Sequence, residues 1–284
     1  MTTLKSFVGF AVLFVMIVVA MPACRDVRVK EHQEWKAYFQ ENDIQDACFE
    51  MYDNNKEIAL YFNKKRCSER MTPGAVFDIF NALVALSSNV ALDEQFKLRT
   101  WSNMKGAMDS LTLKQAFQEE NGSYFEQLAI LTDSQKMQFS LDTVQFGNML
   151  MGGAPGQFYK DGRLKVTADE MVGFMKRLYH GELPAFDQRS IRLVQGMLLQ
   201  ETKPDEKLYY RYASLPQSDS TLHWLVGYME HTEGLKNPKT GKTEYIPHPY
   251  FFAMNFTTPA SAKDWKSVSL QILKDILKVS HAND

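Results

Sequence analysis

Two spacings in the 284-residue chain match serine acyl-transfer chemistry letter for letter. Ser102-Asn103-Met104-Lys105 sets a hydroxyl three residues before a lysine, the pattern of a nucleophile with its base. Lys239-Thr240-Gly241 has the form of the strand motif that helps bind an acyl carboxylate. Neither setting suits the chemistry. "WSNMKGAMDS" lacks the apolar run of a buried nucleophile helix, and "HTEGLKNPKTGKTEYIPHP" carries the Gly and Pro of a solvated hairpin loop.

A third stretch, "MTPGAVFDIFNALVAL" (residues 71–86), has the setting without the groups. Thr72 is placed to cap a helix and Pro73 to fill its first turn. Val76, Phe77, Ile79, Phe80, Leu83, Val84 and Leu86 cover almost its whole circumference, so a helix over 73–87 is expected in the core. Asp78 sits in the middle of that run, where a carboxylate needs a partner.

Other chemistries leave no mark. The sequence has no P-loop, no dinucleotide fingerprint, no Gly-x-Ser-x-Gly elbow and no His-Glu-x-x-His pair. His32, His180, His223, His231, His248 and His281 show no ligand spacing, and no Cys-x-x-Cys occurs. No metal site and no cofactor is expected. Cys67, in "KKRCSER", reads as a structural cysteine beside a helix start rather than a nucleophile. A formal net charge of -2 gives no footprint for nucleic acid.

Residues 1–23 read as a signal peptide, with Lys5 as its positive region and Phe7 to Met21 as its apolar core. That core is short for a membrane span. "MPAC" resembles a lipoprotein processing site with Cys24 as the lipidated residue, which would attach the chain to a membrane by a lipid anchor. The remainder, 24–284, is expected outside the cytoplasm, in the periplasm or at the outer membrane. There Cys48 and Cys67 would either form a disulfide closing a loop of 19 residues or remain two buried thiols.

The elements that must position these residues are strands at both ends with helices between. "EWKAYFQEND" reads as a short helix, "ACFEMYD" and "EIALYFN" as strands joined by a "DNNK" turn. Residues 88–205 read as a mostly helical lobe, from "LTLKQAFQEENGSYFEQLAIL" and "TADEMVGFMKRLYHGEL". The Gly-rich loop "FGNMLMGGAPGQFYKDG" (146–162) interrupts it. "KLYYRYAS", "LHWLVGYME" and "YFFAMNF" read as strands and "WKSVSLQILKDILK" as a closing helix. The expected fold is one α/β domain of the α+β type, with a central antiparallel sheet built from both termini and an inserted helical lobe.

In this order the segments resemble the class D serine β-lactamases (the oxacillinase group) of the penicillin-binding protein and β-lactamase superfamily. "CFEMYD…YFNKKRCSERMTPGAVFDIFNALVAL" is similar to that family's first strands and nucleophile helix. "LTLKQAFQEENGSYFEQLA" resembles the segment of its second serine motif, and "FGN…QFYKDGRLKVTADEMVGFMKRLYHGELPAFDQRS" its Tyr-Gly-Asn loop and the region behind it. "LHWLVGYME" and "YFFAMNF" look like its last two sheet strands. The resemblance runs from about residue 34 to 278.

Carried over residue by residue, the resemblance implies the loss of its own chemistry. Ala75 stands at the nucleophilic serine and Asp78 at the lysine base. Glu120-Asn121-Gly122 stands at Ser-x-Val, and Phe146-Gly147-Asn148 at Tyr-Gly-Asn. Tyr159 stands at the tryptophan that steadies the base, Arg211-Tyr212-Ala213 at Lys-Thr-Gly, and Lys266 or Ser267 at the arginine for the substrate carboxylate. The implied protein is a catalytically inactive relative acting by binding a cell-wall component such as peptidoglycan, or an envelope protein. The alternatives are a residual or altered β-lactam hydrolase and a non-covalent β-lactam or stem-peptide binder. Asp78, Glu120 and Arg211 are expected to converge as an ion-pair plug of net charge about -1, since a buried carboxylate calls for a cation. Tyr212 is expected to add bulk beside the substrate channel.

Overall fold

A computed structural model describes residues 28–102, 107–154 and 156–282. The proposed leader, Cys24 and Lys105 lie outside these residues. The chain opens with β1 (Arg28–Glu31), a 3₁₀ turn (Gln33–Trp35) and α1 (Lys36–Gln40). β2 (Asp46–Asp53), β3 (Ile58–Phe62) and the four-residue α2 (Lys64–Cys67) follow. A 3₁₀ turn (Gly74–Phe77) leads into α3 (Asp78–Ser87). The inserted lobe holds β4 (Lys97–Ser102), β5 (Ala107–Thr112), α4 (Leu113–Gln118), α5 (Gly122–Leu131) and α6 (Ser134–Val144). It ends with α7 (Ala168–His180) and α8 (Gln188–Leu198). The chain closes with β6 (Leu199–Thr202), β7 (Glu206–Pro216), β8 (Thr221–Lys236), β9 (Thr243–Thr258) and α9 (Trp265–Ala282).

Seven strands form one sheet in the order β1-β3-β2-β9-β8-β7-β6. All neighbours are antiparallel except β1 and β3. β2 and β9 pair from Asp46↔Thr257 to Asp53↔Tyr250, so the two ends of the chain meet at the middle of the sheet. Gly227 in β8 is required there, because an added Cβ would lie 2.0 Å from the Tyr209 carbonyl oxygen.

The two-residue period of a strand divides side chains between two cores. Ala47, Phe49, Met51, Tyr210, Tyr212, Leu225, Phe252 and Met254 pack with Trp35 and Phe39 and with Trp265, Leu273 and Ile276 of α9. Cys48, Tyr61, Ala213, Trp224, Val226, Phe251 and Ala253 face the inserted lobe. The result is helix layer, sheet, helix layer. α3 lies within the second core with every residue from Asp78 to Leu86 buried, as its unbroken apolar circumference requires.

The structure departs from the sequence reading at specific places. Lys97–Ser102 and Ala107–Thr112 pair as antiparallel strands within the stretch read as helical, with alternation through Leu98 and Thr100 outweighing the helical spacing further on. "LTLKQAFQEENGSYFEQLAIL" is two helices. Thr112 and Gln115 form a capping box at the first, Glu120 breaks the chain with a φ of 53°, and the Asn121 side chain accepts from the Tyr124 N–H to start the second. Thr72 makes no capping hydrogen bond; the entry to α3 is a 3₁₀ turn instead. Cys48 and Cys67 are both buried and unbonded.

Candidate functional site: a filled cleft at the start of α3

The entry to α3 is pinned from three sides before any side chain is considered. The Gly74 N–H donates to the Tyr159 carbonyl (2.9 Å), and Met71 and Val166 exchange two backbone bonds of 2.8 Å. The Trp224 indole N–H donates to the Thr72 carbonyl (3.0 Å). Gly74 takes a φ of 55°, and a Cβ there would touch Leu215 and Ala213 at 3.6 and 3.8 Å. β7 therefore lies directly against the turn that leads to Ala75. Ala75 itself is half-buried and its methyl group offers no nucleophilic atom.

Asp78 finds its cation in Arg211. On β7 the odd-numbered residues face the lobe, which carries the Arg211 side chain into the space beneath Ala75. Both residues are almost fully buried, at 1% and 2% exposure. Arg211 Nη2 donates to Asp78 Oδ2 in a short bond, Nη1 to the Phe117 carbonyl (2.5 Å) and Nε to the Ala75 carbonyl (3.3 Å). The Phe117 and Phe125 rings lie 4.8 and 5.3 Å from the guanidinium carbon. Three hydrogen bonds and two aromatic faces thus hold one cation against one carboxylate, an arrangement that suits a planar guanidinium far better than an ammonium. Burial pushes the Asp78 carboxyl up to about 6 against the pull of Arg211. It is charged at neutral pH.

Glu120 does not join this pair. Its left-handed backbone turns the side chain outward, where Oε1 accepts from Lys266 Nζ at 2.8 Å. The expected three-residue plug is therefore one buried pair and one half-exposed pair, each balanced in charge rather than net negative. The Lys266–Glu120 bridge joins α9 to the α4–α5 turn. Ser267, the neighbour of Lys266, instead bonds Asp264 at the start of α9 (2.6 Å).

The remaining sequence-selected residues serve the fold. Phe146 packs at 4.8 Å from Phe80 and 5.0 Å from Phe174. Gly147 takes a φ of 59°, and a Cβ there would lie 2.3 Å from the Lys165 carbonyl oxygen. The Asn148 amide donates to the Arg163 carbonyl (2.8 Å), and its oxygen accepts from the Lys165 N–H (2.9 Å). Tyr159 stacks on Phe77 (4.8 Å). Its hydroxyl and Asp78 Oδ1 are both buried without a hydrogen-bond partner. Gly122 starts α5, 3.5 Å at its would-be Cβ from Lys160 Nζ, and Lys160 pairs with Glu126. Tyr212 corrects its expectation: as an even-numbered residue of β7 it points to the α9 layer, where its hydroxyl bonds His223 Nδ1 (2.7 Å). Ala213 lines the lobe face. Lys239-Thr240-Gly241 lies in the exposed β8–β9 turn, and Ser102 is the last residue of β4.

Three groups escaped the sequence reading. Asn81, one turn beyond Asp78, donates to the Phe125 carbonyl (2.8 Å) and so ties α3 to the ring beside Arg211. Its signal was available, a second polar residue at helical spacing. Phe117 contributes through its carbonyl, which no side-chain pattern encodes. Away from the cleft, His248 bonds Asp53 through Nε2 (2.6 Å) and Glu233 through Nδ1 (2.5 Å), joining β2, β8 and β9.

A seven-stranded sheet, a lobe inserted between its first and last strands, and a helix entry facing strand β7 define a serine β-lactamase fold. The chain belongs to the penicillin-binding protein transpeptidase domain family, whose model matches residues 39–209. Within it the similarity is to class D β-lactamases. Beta-lactamase OXA-48 of Klebsiella pneumoniae is 25% identical over 277 residues, covering 94% of this chain and 95% of the relative. The crystal structure of the class D β-lactamase YbXI from Nostoc superposes with a TM-score of 0.72 at 26% identity, covering 86% of this chain and 97% of that one. The C-terminal domain of the Bacillus licheniformis BlaR penicillin-receptor shares the fold, with a TM-score of 0.76 at 19% identity over 92% of this chain and 98% of that one.

Proposed function

We propose that this class D β-lactamase-like protein is an exported pseudoenzyme that acts by binding, with a cell-wall component such as peptidoglycan or another envelope protein as its partner. The observation that carries the reading is the Arg211–Asp78 pair beside Ala75. Acyl transfer needs a nucleophile at the helix entry and a base one turn on. Here the first position is a methyl group, and the second is a carboxylate already committed to a guanidinium. Losing the nucleophile of such a unit costs on the order of a millionfold in rate. The Ser68 hydroxyl donates to Asp169 (3.0 Å) and the Tyr212 hydroxyl lies on the opposite face of the sheet.

The test is incubation of the mature protein with a fluorescent penicillin, followed by denaturing electrophoresis. The expected result is no retained label. Label that survives denaturation and maps to any serine overturns the reading. Turnover of a chromogenic cephalosporin that disappears in Asp78→Asn would establish an altered hydrolase instead. A rise in melting temperature with muropeptides, without label, identifies the cell wall as the partner. Secretion to the envelope is checked by fractionation and by mass spectrometry of the N-terminal peptide for a lipid on Cys24.

A further inference from the structure

Cys48 lies on β2, in register with Asn255 of β9, and its side chain faces the lobe. Cys67 is the last residue of α2, the short helix that follows β3. Both are fully buried in the same core cluster, and the packing of α2 on β2 sets Cys67 beside Cys48. Cys67 Sγ also contacts the Phe62 carbonyl at 3.8 Å. Other groups hold α2 on β2 without help from sulfur. Arg66 Nε donates to Asn255 Oδ1 (2.8 Å), Nη2 to Thr257 Oγ1 (3.0 Å), and Nη1 pairs with Asp46. The Asn63 amide donates to the Ala47 carbonyl (2.9 Å). The backbone on either side of the two sulfurs is thus fixed, with one thiol against the other.

We propose that Cys48 and Cys67 are a modification site: they join as an intramolecular disulfide while the chain folds in an oxidising compartment, as a permanent cross-link between β2 and α2. The proposal rests on the export reading above for its compartment. The step is thiol–disulfide exchange with a disulfide oxidant, either a protein or glutathione disulfide. One cysteine thiolate attacks the oxidant and expels the first of its two thiols, leaving a mixed disulfide. The other then attacks the cysteine sulfur of that bond and expels the second. One S–S bond forms here and one breaks there, and the oxidant leaves with two electrons and two protons as two thiols.

The surroundings fix when this happens. In the folded chain no oxidant reaches sulfurs with no exposed surface. The neighbouring thiol, burial and the Glu50 and Asp169 carboxyls raise the Cys67 thiol far above its ordinary range, so it is not a thiolate. Exchange therefore precedes closure of α2 onto β2, and the finished bond is shielded from reductants. It fixes the start of the segment that runs from Ser68 to the Gly74 turn and Ala75.

The experiment is refolding of the reduced full chain in a glutathione redox buffer, with Cys24→Ser in parallel, followed by alkylation in denaturant and peptide mapping. The expected product has lost about 2 Da, takes no maleimide on Cys48 or Cys67, and yields one linked peptide pair in both proteins. Its melting midpoint is expected to lie about 5–10 °C above that of the reduced form. It should also resist millimolar reductant until denatured. Two alkylated thiols after oxidative refolding, a linkage to Cys24, or rapid reduction in the native state each overturn the proposal. Material from cells separates this from the export reading. Protein found in the envelope with both thiols free refutes the cross-link, whereas protein found in the cytoplasm with the cross-link forming in vitro refutes export alone.

Discussion

The pairing of Asp78 with Arg211 makes both side chains part of the packed interior. Breaking such a pair from one side leaves a charge with no water to receive it. Arg211→Met is expected to lose about 3–5 kcal/mol in urea unfolding, and Asp78→Leu with Arg211→Met together is expected to recover most of that loss. Ala75→Ser should remain unlabelled by fluorescent penicillin, because the Asp78 carboxylate is engaged with Arg211 and the Lys160 amine with Glu126. Recovery of label in that single variant would show that a base is available after all. At this scale the sequence was informative where the chemistry demanded compensation. A carboxylate in an apolar helix calls for a cation, and the strand motif offered one in Arg211. It was misleading where geometry decided. Glu120 turned out to have a left-handed backbone and took Lys266, and Tyr212 followed the strand period to the other face.

Elements keep the outline of an active site because their own packing needs it. The Phe146-Gly147-Asn148 turn is held by its own packing: Phe146 lies against Phe80 and Phe174, and Gly147 and Asn148 lie against residues 163–166. Gly147→Ala is expected to destabilise the protein by at least 2 kcal/mol, since it combines a positive φ with a clash against the Lys165 carbonyl. Asn148→Ala should cost about 1–2 kcal/mol through the lost side-chain hydrogen bonds to Arg163, Lys165 and Leu150. Both are read from denaturant midpoints, and a neutral outcome for Gly147→Ala would mean that the loop is free to move away. Strands β2, β3, β7, β8 and β9 and helices α3 and α7 were legible, because burial on defined faces writes a period into the sequence. The β4–β5 pair was not, since its short strands sit beside stronger helical spacing. The split between α4 and α5 depends on one backbone angle at Glu120.

Across the whole molecule the two cores differ in how they tolerate charge. The face toward the lobe also buries Glu50, whose carboxyl burial pushes up to about 9, with Asp169 beside it and Tyr61 bonded at 3.1 Å. Its value in the folded chain lies above the ordinary 4.5. It therefore contributes its full stability below pH 4.5, and that contribution falls as pH rises until it is gone above about 9. Glu50→Gln keeps the shape of the side chain and removes the titration. The variant is expected to match the parent near pH 4.5 and exceed it by about 1–3 kcal/mol at pH 8 in urea unfolding. A parallel pH dependence in both proteins would assign the alkaline loss to another group. The order of strands and the inserted lobe were readable as a fold because the segments succeed one another without interruption. The partner was not, since a binding surface needs no fixed residue spacing.

The Arg211–Asp78 pair also has a historical dimension. Each partner makes the other's replacement harmful: a lysine in place of Asp78 would sit against Arg211 as two enclosed cations, and a neutral residue in place of Arg211 would strand the carboxylate. A lineage carrying both has no single-step route back to acyl transfer that passes through a stable protein. On the pseudoenzyme proposal the pair works as a ratchet, and selection on such a chain can reshape its surface freely without reopening a route to acyl transfer.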